Sequence, residues 1–162
     1  MGGYPSELPK FVRLITLNEM IKDDLKQKLM NRIKEIPIVD TLNIQILNFE
    51  YGYCEIMIPL KKGYEGIYDS FHGGLMMTAA DSVACFAILT LTGPDANLTT
   101  TDMNIRFLYP CYTNLTARAK VIKYGRTLCP VSVDLYDDSD SLVAVAQVTY
   151  MLLDKKKSKK EK

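Results

Sequence analysis

Apolar residues recur every fourth position near the start of the chain, at Leu17, Ile21, Leu25, Leu29 and Ile33, with Met20 and Met30 beside them. Lys, Asp and Glu fill the other side. This period predicts an amphipathic helix over about 17–36, capped by Thr16 or Asn18 and stopped before Pro37. The stripe reads as a packing face. The sixteen residues before it carry Pro5 and Pro9 and read as an extended arm. The period then changes to two. Ile44, Ile46 and Asn48 alternate with Gln45 and Leu47, a Tyr51-Gly52 turn follows, and Cys54, Ile56 and Ile58 alternate with Glu55 and Met57. That is a β-hairpin over 44–58. Residues 61–70 form a loop.

From Phe71 to Leu91 both periods vanish. After His72-Gly73-Gly74 the chain reads LMMTAADSVACFAILTL, apolar around the whole helical circumference, and Gly93-Pro94 ends it. A helix without a polar face is expected to be buried on all sides. Four strands follow. In the first, Met103, Ile105, Phe107 and Tyr109 share one face, and Thr100, Asp102, Asn104 and Arg106 the other. Strands near 115–121, 128–135 and 142–153 come next, and Pro130 predicts an edge or a bulge. One long apolar helix with a single sheet to cover it implies a sheet curled around that helix, an α+β arrangement.

Composition narrows the class. The chain has 162 residues, 48% apolar and 24% charged, which fits one soluble globular domain. No apolar run near eighteen residues is free of charge, so no transmembrane helix and no stable membrane insertion are expected. The charge is uneven. Residues 155–162, KKKSKKEK, hold six Lys and one Glu; without them, 20 basic and 19 acidic residues become 14 and 18. A body of about −4 argues against a nucleic-acid surface, and 155–162 reads as a solvated basic tail. The division expected is an arm and helix over 1–36, a main domain over 37–154 and the tail.

Cys54, Cys85, Cys111 and Cys129 are widely spaced, and His72 is the sole histidine. No metal site can be assembled from them and no cofactor is expected. Reduced thiols and no secretory pattern lead to a cytoplasmic expectation. Met1-Gly2-Gly3-Tyr4-Pro5-Ser6 matches a short myristoylation pattern that is too loose to carry weight.

Chemistry concentrates on the apolar helix. Asp81 is its one strongly charged side chain, and a carboxylate there must be paired, hydrogen-bonded or protonated. It is either a functional acid or a bridge to a neighbouring element. Gly73 and Gly74 open the same helix, where free N–H groups and the positive dipole end gather. They are either a tight turn or a place where a substrate oxygen can meet the backbone, as in an oxyanion hole. Eight residues of helix separate Gly73 from Asp81, about 12 Å of rise. If both serve one reaction, they come from different subunits, with two such helices antiparallel across a twofold axis.

The segments FHGGLMMTAADSVACFA, TTTDMNIRFLYP and KYGRTLCPVSVDLYDDSDSLVAVAQVTYMLL resemble the hotdog-fold acyl-CoA thioesterases of the PaaI-like (phenylacetyl-CoA thioesterase) branch, over roughly 40–153. The resemblance implies a six-stranded antiparallel sheet wrapped around one long buried helix, here with an extra N-terminal helix. It implies a homodimer or homotetramer with its sites at the dimer interface, and hydrolysis of acyl-CoA to free acid and CoA. On this resemblance the Gly73 N–H polarises the thioester carbonyl. Asp81 of the partner subunit acts as general base or nucleophile, and Thr100 holds the attacking water. His72 shapes the loop or touches the reaction centre. Gly74, Met77, Arg106, Lys123 and Arg126 are expected to bind substrate, with the acyl pocket lined by Met76, Met77 and the 44–58 hairpin. The resemblance breaks at Gly66, where many relatives carry an Asn that also binds the carbonyl. That gap supports the alternative of an acyl-CoA-binding protein without turnover, a sensor or assembly module.

Overall fold

The computed structural model describes residues 21–153. The N-terminal arm, the cap at Thr16 or Asn18, the myristoylation pattern and the basic tail lie outside the described residues. Helix α1 spans Asp23–Lys34, with Asp23 and Asp24 in its first turn and Arg32 and Lys34 in its last, as the helix dipole favours. Its stripe is a packing face: Leu29 and Ile33 are buried in the common core. The chain does not simply stop before Pro37. A short helix α2, Pro37–Thr41, begins there, because proline's fixed φ and missing N–H suit a first helical position.

Strands β1 (Gln45–Glu50) and β2 (Tyr53–Ile58) form the expected hairpin. Its turn needs φ near +72° at Gly52, and the Gly52 N–H donates to Thr90 Oγ1 at 2.7 Å. Helix α3 runs from Gly73 to Thr92, so this bond ties the hairpin turn to the helix. The remaining strands are β3 (Asn97–Phe107), β4 (Leu115–Val121), β5 (Leu128–Tyr136) and β6 (Leu142–Leu153). All six make one antiparallel sheet in the order β1-β2-β4-β5-β6-β3. Its inner face is packed by Ile56 and Ile58 of β2, Leu115, Ala117 and Ala119 of β4, and Val131, Val133 and Leu135 of β5, all fully or almost fully buried. Burying each large aliphatic side chain stabilises the fold by roughly 1.5–3 kcal/mol. Alanines at 79, 80, 84 and 87 of α3 face this layer and let the helix lie close against it.

Four details differ from the alternation read in the sequence. In β1 the register skips Leu47, which turns Phe49 rather than Asn48 into the core. In β3 it skips Thr101: Thr100 pairs with Tyr150 and Asp102 with Thr149. This bulge moves Thr100 off the face it was expected to share with Asp102 and onto the side facing α3. Pro130 marks neither an edge nor a bulge. It sits in interior strand β5 with its carbonyl accepting from the Ile122 N–H, just past the last residue of β4. Its missing N–H points the same way, to where the ladder has ended, so little is lost. Finally, α3 is long and apolar enough to cross a membrane by length and composition, yet more than half of that stretch is buried by the fold. It is not buried on all sides. Gly74 and Met77 are exposed, and Thr78, Asp81, Ser82 and Cys85 are partly open, forming one stripe along the helix.

Candidate active site

His72 caps α3. Its Nδ1 accepts the Gly74 N–H at 3.0 Å, and its own N–H donates to the Tyr64 carbonyl at 2.8 Å. This geometry gives His72 a loop-shaping task and occupies Gly74, whose N–H is no longer available to a substrate. Gly73, the first residue of the helix, is different: among the described residues its N–H has no acceptor. A Cβ at Gly73 would lie 3.2 Å from Phe107 Cζ, so glycine lets the ring approach the helix terminus closely. Gly66 lies against His72, with no side chain to supply a second donor.

Asp81 lies two turns along α3 on the open stripe. Its Oδ1 accepts the Thr100 hydroxyl at 2.8 Å and the Tyr150 phenol at 2.8 Å; the phenol also lies 3.0 Å from the Asp81 backbone carbonyl. Among the described residues Oδ2 has no partner. Thr100 arrives through the bulge. Tyr150 arrives on β6, where alternation places it inward with Val148 and Ala146. Sequence reasoning missed Tyr150, although a tyrosine on a buried face needs a partner for its hydroxyl. Burial, chiefly, raises the Tyr150 phenol well above its usual range, so it stays a neutral donor. Cys85, one turn beyond Asp81, is pushed up to about 11 by burial and then by the Asp81 charge, while its contact with the Tyr150 hydroxyl opposes the rise. Its thiol is protonated at neutral pH.

The expected binding residues are only partly brought together. A cavity of about 350 Å³ lies between Gly73, Met76, Ser70 and Phe107. Met76 lines it, but Met77 stands on the open stripe and none of the 44–58 hairpin reaches this cavity. Arg126 lies near the C-terminal end of α3 with Thr92 and Asn97, and Lys123 is exposed in the same loop. Arg106 is nine residues along β3 from Asn97, about 30 Å away at the usual strand rise, so within one chain the three cations do not form a single patch. Among the described residues no group of three His, Cys, Asp or Glu could hold a metal.

Residues 68–144 match the model of the thioesterase superfamily. A protein of Saccharolobus solfataricus that carries the provisional name of esterase is 31% identical over 114 residues, which is 69% of this chain and 80% of the relative. Among solved structures, the PaaI protein of Escherichia coli, from the phenylacetic acid degradation operon, superposes with a TM-score of 0.75 at 18% identity, over 82% of this chain and 96% of that one. A thioesterase family protein from Silicibacter pomeroyi gives 0.73 at 25% identity, over 80% and 98%. The chain belongs to the thioesterase superfamily and has the hotdog fold of its PaaI-like members.

Proposed function

We propose that the protein hydrolyses acyl-CoA thioesters at sites shared by two copies of the chain. The observation that carries this reading is the Asp81 carboxylate: two hydroxyls hold Oδ1, Oδ2 has no partner among the described residues, and the group lies on the open stripe of a helix whose other faces are packed. The unbonded Gly73 N–H, reinforced by the helix dipole, is suited to the thioester carbonyl. It is about 12 Å from Asp81 along α3, so a symmetric partner supplies the acid. Thr100 spends its only proton on Oδ1, which leaves its oxygen as an acceptor. A water whose two hydrogens go to Oδ2 and Thr100 Oγ1 presents a lone pair to the carbonyl carbon. The water oxygen adds to the carbonyl carbon as its proton passes to Oδ2, and the C–S bond breaks as the sulfur of CoA takes that proton back from Oδ2.

The test is thiol release from a panel of acyl-CoAs by the wild type and Asp81→Asn. Release by the wild type and a loss beyond about tenfold in the variant, near 1.4 kcal/mol of barrier, are expected. A variant above a tenth of wild-type kcat overturns the role of Asp81. Binding without release by the wild type selects the non-catalytic alternative, the reading favoured by the missing side chain at Gly66.

A further inference from the structure

Beyond Asp81, the same face of α3 continues through the partly open Cys85 to the buried Leu89, and the inward side of β3 runs back from Thr100 to Leu98. These two lines converge on a second cavity, of about 680 Å³, whose wall is completed by Ile36, between α1 and α2, and Leu153 at the end of β6. The volume falls within the usual range of small-molecule pockets. Cys85 lines the cavity and lies one helical turn beyond Asp81 on the same face of α3, so cavity and carboxylate are neighbours along the helix.

We infer that this cavity houses the acyl group of the substrate, and that the group is an unbranched aliphatic chain of medium length. The inference rests on the hydrolase reading above and names the substrate class of that same site. Ile36, Leu89, Pro94, Ala96, Leu98 and Leu153 make its walls mainly apolar, with Cys85 and Asn97 between them, and among the described residues no aromatic ring lines it. One cation, Arg32, stands at the rim, and its exposed guanidinium lies 3.5 Å from Glu35, so the rim carries both signs of charge rather than a lone cation for a second carboxylate. The amides of the pantetheine arm would find Asn97 and little else against such walls, whereas methylenes gain about 0.8 kcal/mol each when buried. From Asp81 to Leu89 the helix rises about 12 Å, room for roughly eight to ten carbons at ordinary C–C bond lengths.

The experiment compares acetyl-, octanoyl- and phenylacetyl-CoA as substrates of the full chain and of Ile36→Trp, which fills the cavity from a wall that does not include Asp81. Binding of a non-hydrolysable octyl-CoA thioether to both proteins is measured by calorimetry, and circular dichroism and thermal melting establish that the variant folds. The wild type should prefer octanoyl-CoA over both others by at least tenfold in kcat/KM. Ile36→Trp should lose at least tenfold on octanoyl-CoA and on thioether affinity, while acetyl-CoA turnover stays within twofold. Ile36→Ala, which can only enlarge the space, should shift the optimum to longer chains; an optimum that moves in neither variant overturns the inference even if Ile36→Trp fails to fold. A preference for phenylacetyl-CoA, or equal effects of Ile36→Trp on short and long chains, also overturns it. Thioether binding that Ile36→Trp abolishes, without turnover of any thioester, keeps the cavity assignment and defeats the hydrolase reading. A crystal structure of the full chain with residues 1–20 or a second copy seated in the cavity defeats the assignment alone.

Discussion

The Tyr150 hydroxyl lies 2.8 Å from Oδ1 of Asp81 and 3.0 Å from the same residue's backbone carbonyl. One phenol thus meets both the side chain and the main chain of the residue proposed to do the chemistry. Its partner on the same oxygen, Thr100, comes from the neighbouring strand in the pair Thr100–Tyr150.

Tyr150→Phe keeps the ring and removes the hydroxyl. We expect kcat to fall about tenfold with KM for acyl-CoA within a factor of two, because the lost contact aims the acid and touches no substrate. Steady-state kinetics on one substrate decides it. A rise in KM at constant kcat would place Tyr150 in binding instead.

Thr100→Val should cost kcat a similar factor by removing the acceptor for the water's second hydrogen. A single turnover in ¹⁸O-labelled water should put the label in the first acid released, since the oxygen comes from solvent. Unlabelled acid in the first turnover would show direct attack by Asp81.

Mixed dimers test the shared site. Asp81→Ala and Gly73→Pro should each be inactive alone. Proline is tolerated at a first helical position, and Phe107, half-exposed, can yield to the ring. Refolded together, the two should regain up to roughly a quarter of wild-type activity, since half the dimers are mixed and half their sites intact under twofold symmetry. Mass spectrometry establishes that mixed dimers formed; their inactivity would count against a site built from two chains.

Stability should decline on the alkaline side. Burial pushes Cys129 up to about 11 from near 9, Cys85 rises to about 11, and Tyr53 rises to about 12 from near 10. Groups raised in this way keep their protons when folded and lose them sooner when unfolded. The thiols' contribution is whole below pH 9 and disappears as pH rises through 11, on the order of 2 kcal/mol per thiol, and that of Tyr53 is lost between 10 and 12. Urea midpoints at pH 8 and 10.5 measure the loss; equal midpoints would contradict it.

Much of this structure is legible in the order of side chains. Alternation at Cys54–Ile58, Leu115–Val121 and Val131–Leu135 locates the buried face of each strand, and the long apolar stretch after Gly74 locates the helix they cover. Thr100 was found through the resemblance, while alternation turned it the wrong way. The run Thr99-Thr100-Thr101-Asp102 is polar throughout, so no change of pattern betrays an extra residue. At Pro130 the local rule was sound, but it could not know that β4 ends one residue short of needing the missing donor. Met77 and its neighbours read as buried because composition does not distinguish a face packed by the same chain from one left open.

Deleting Thr101 gives a less obvious expectation. With the extra residue gone, β3 alternates regularly and Thr100 still faces α3, so hydrolysis should remain within about threefold of wild type. Loss of activity in a folded deletion would mean that the bulge's local twist, as well as its register, aims the hydroxyl.

The same residue has a second effect, on the sheet's outer boundary. β3 is an edge strand of eleven residues, and a flat edge of that length is a template on which stray extended chains can grow. The insertion cuts this row into segments of four and six residues. A regular foreign strand that starts on one segment loses its hydrogen bonds at the break. The deletion variant, active by the argument above, should therefore be the more aggregation-prone protein: what Thr101 guards is the finite width of the sheet.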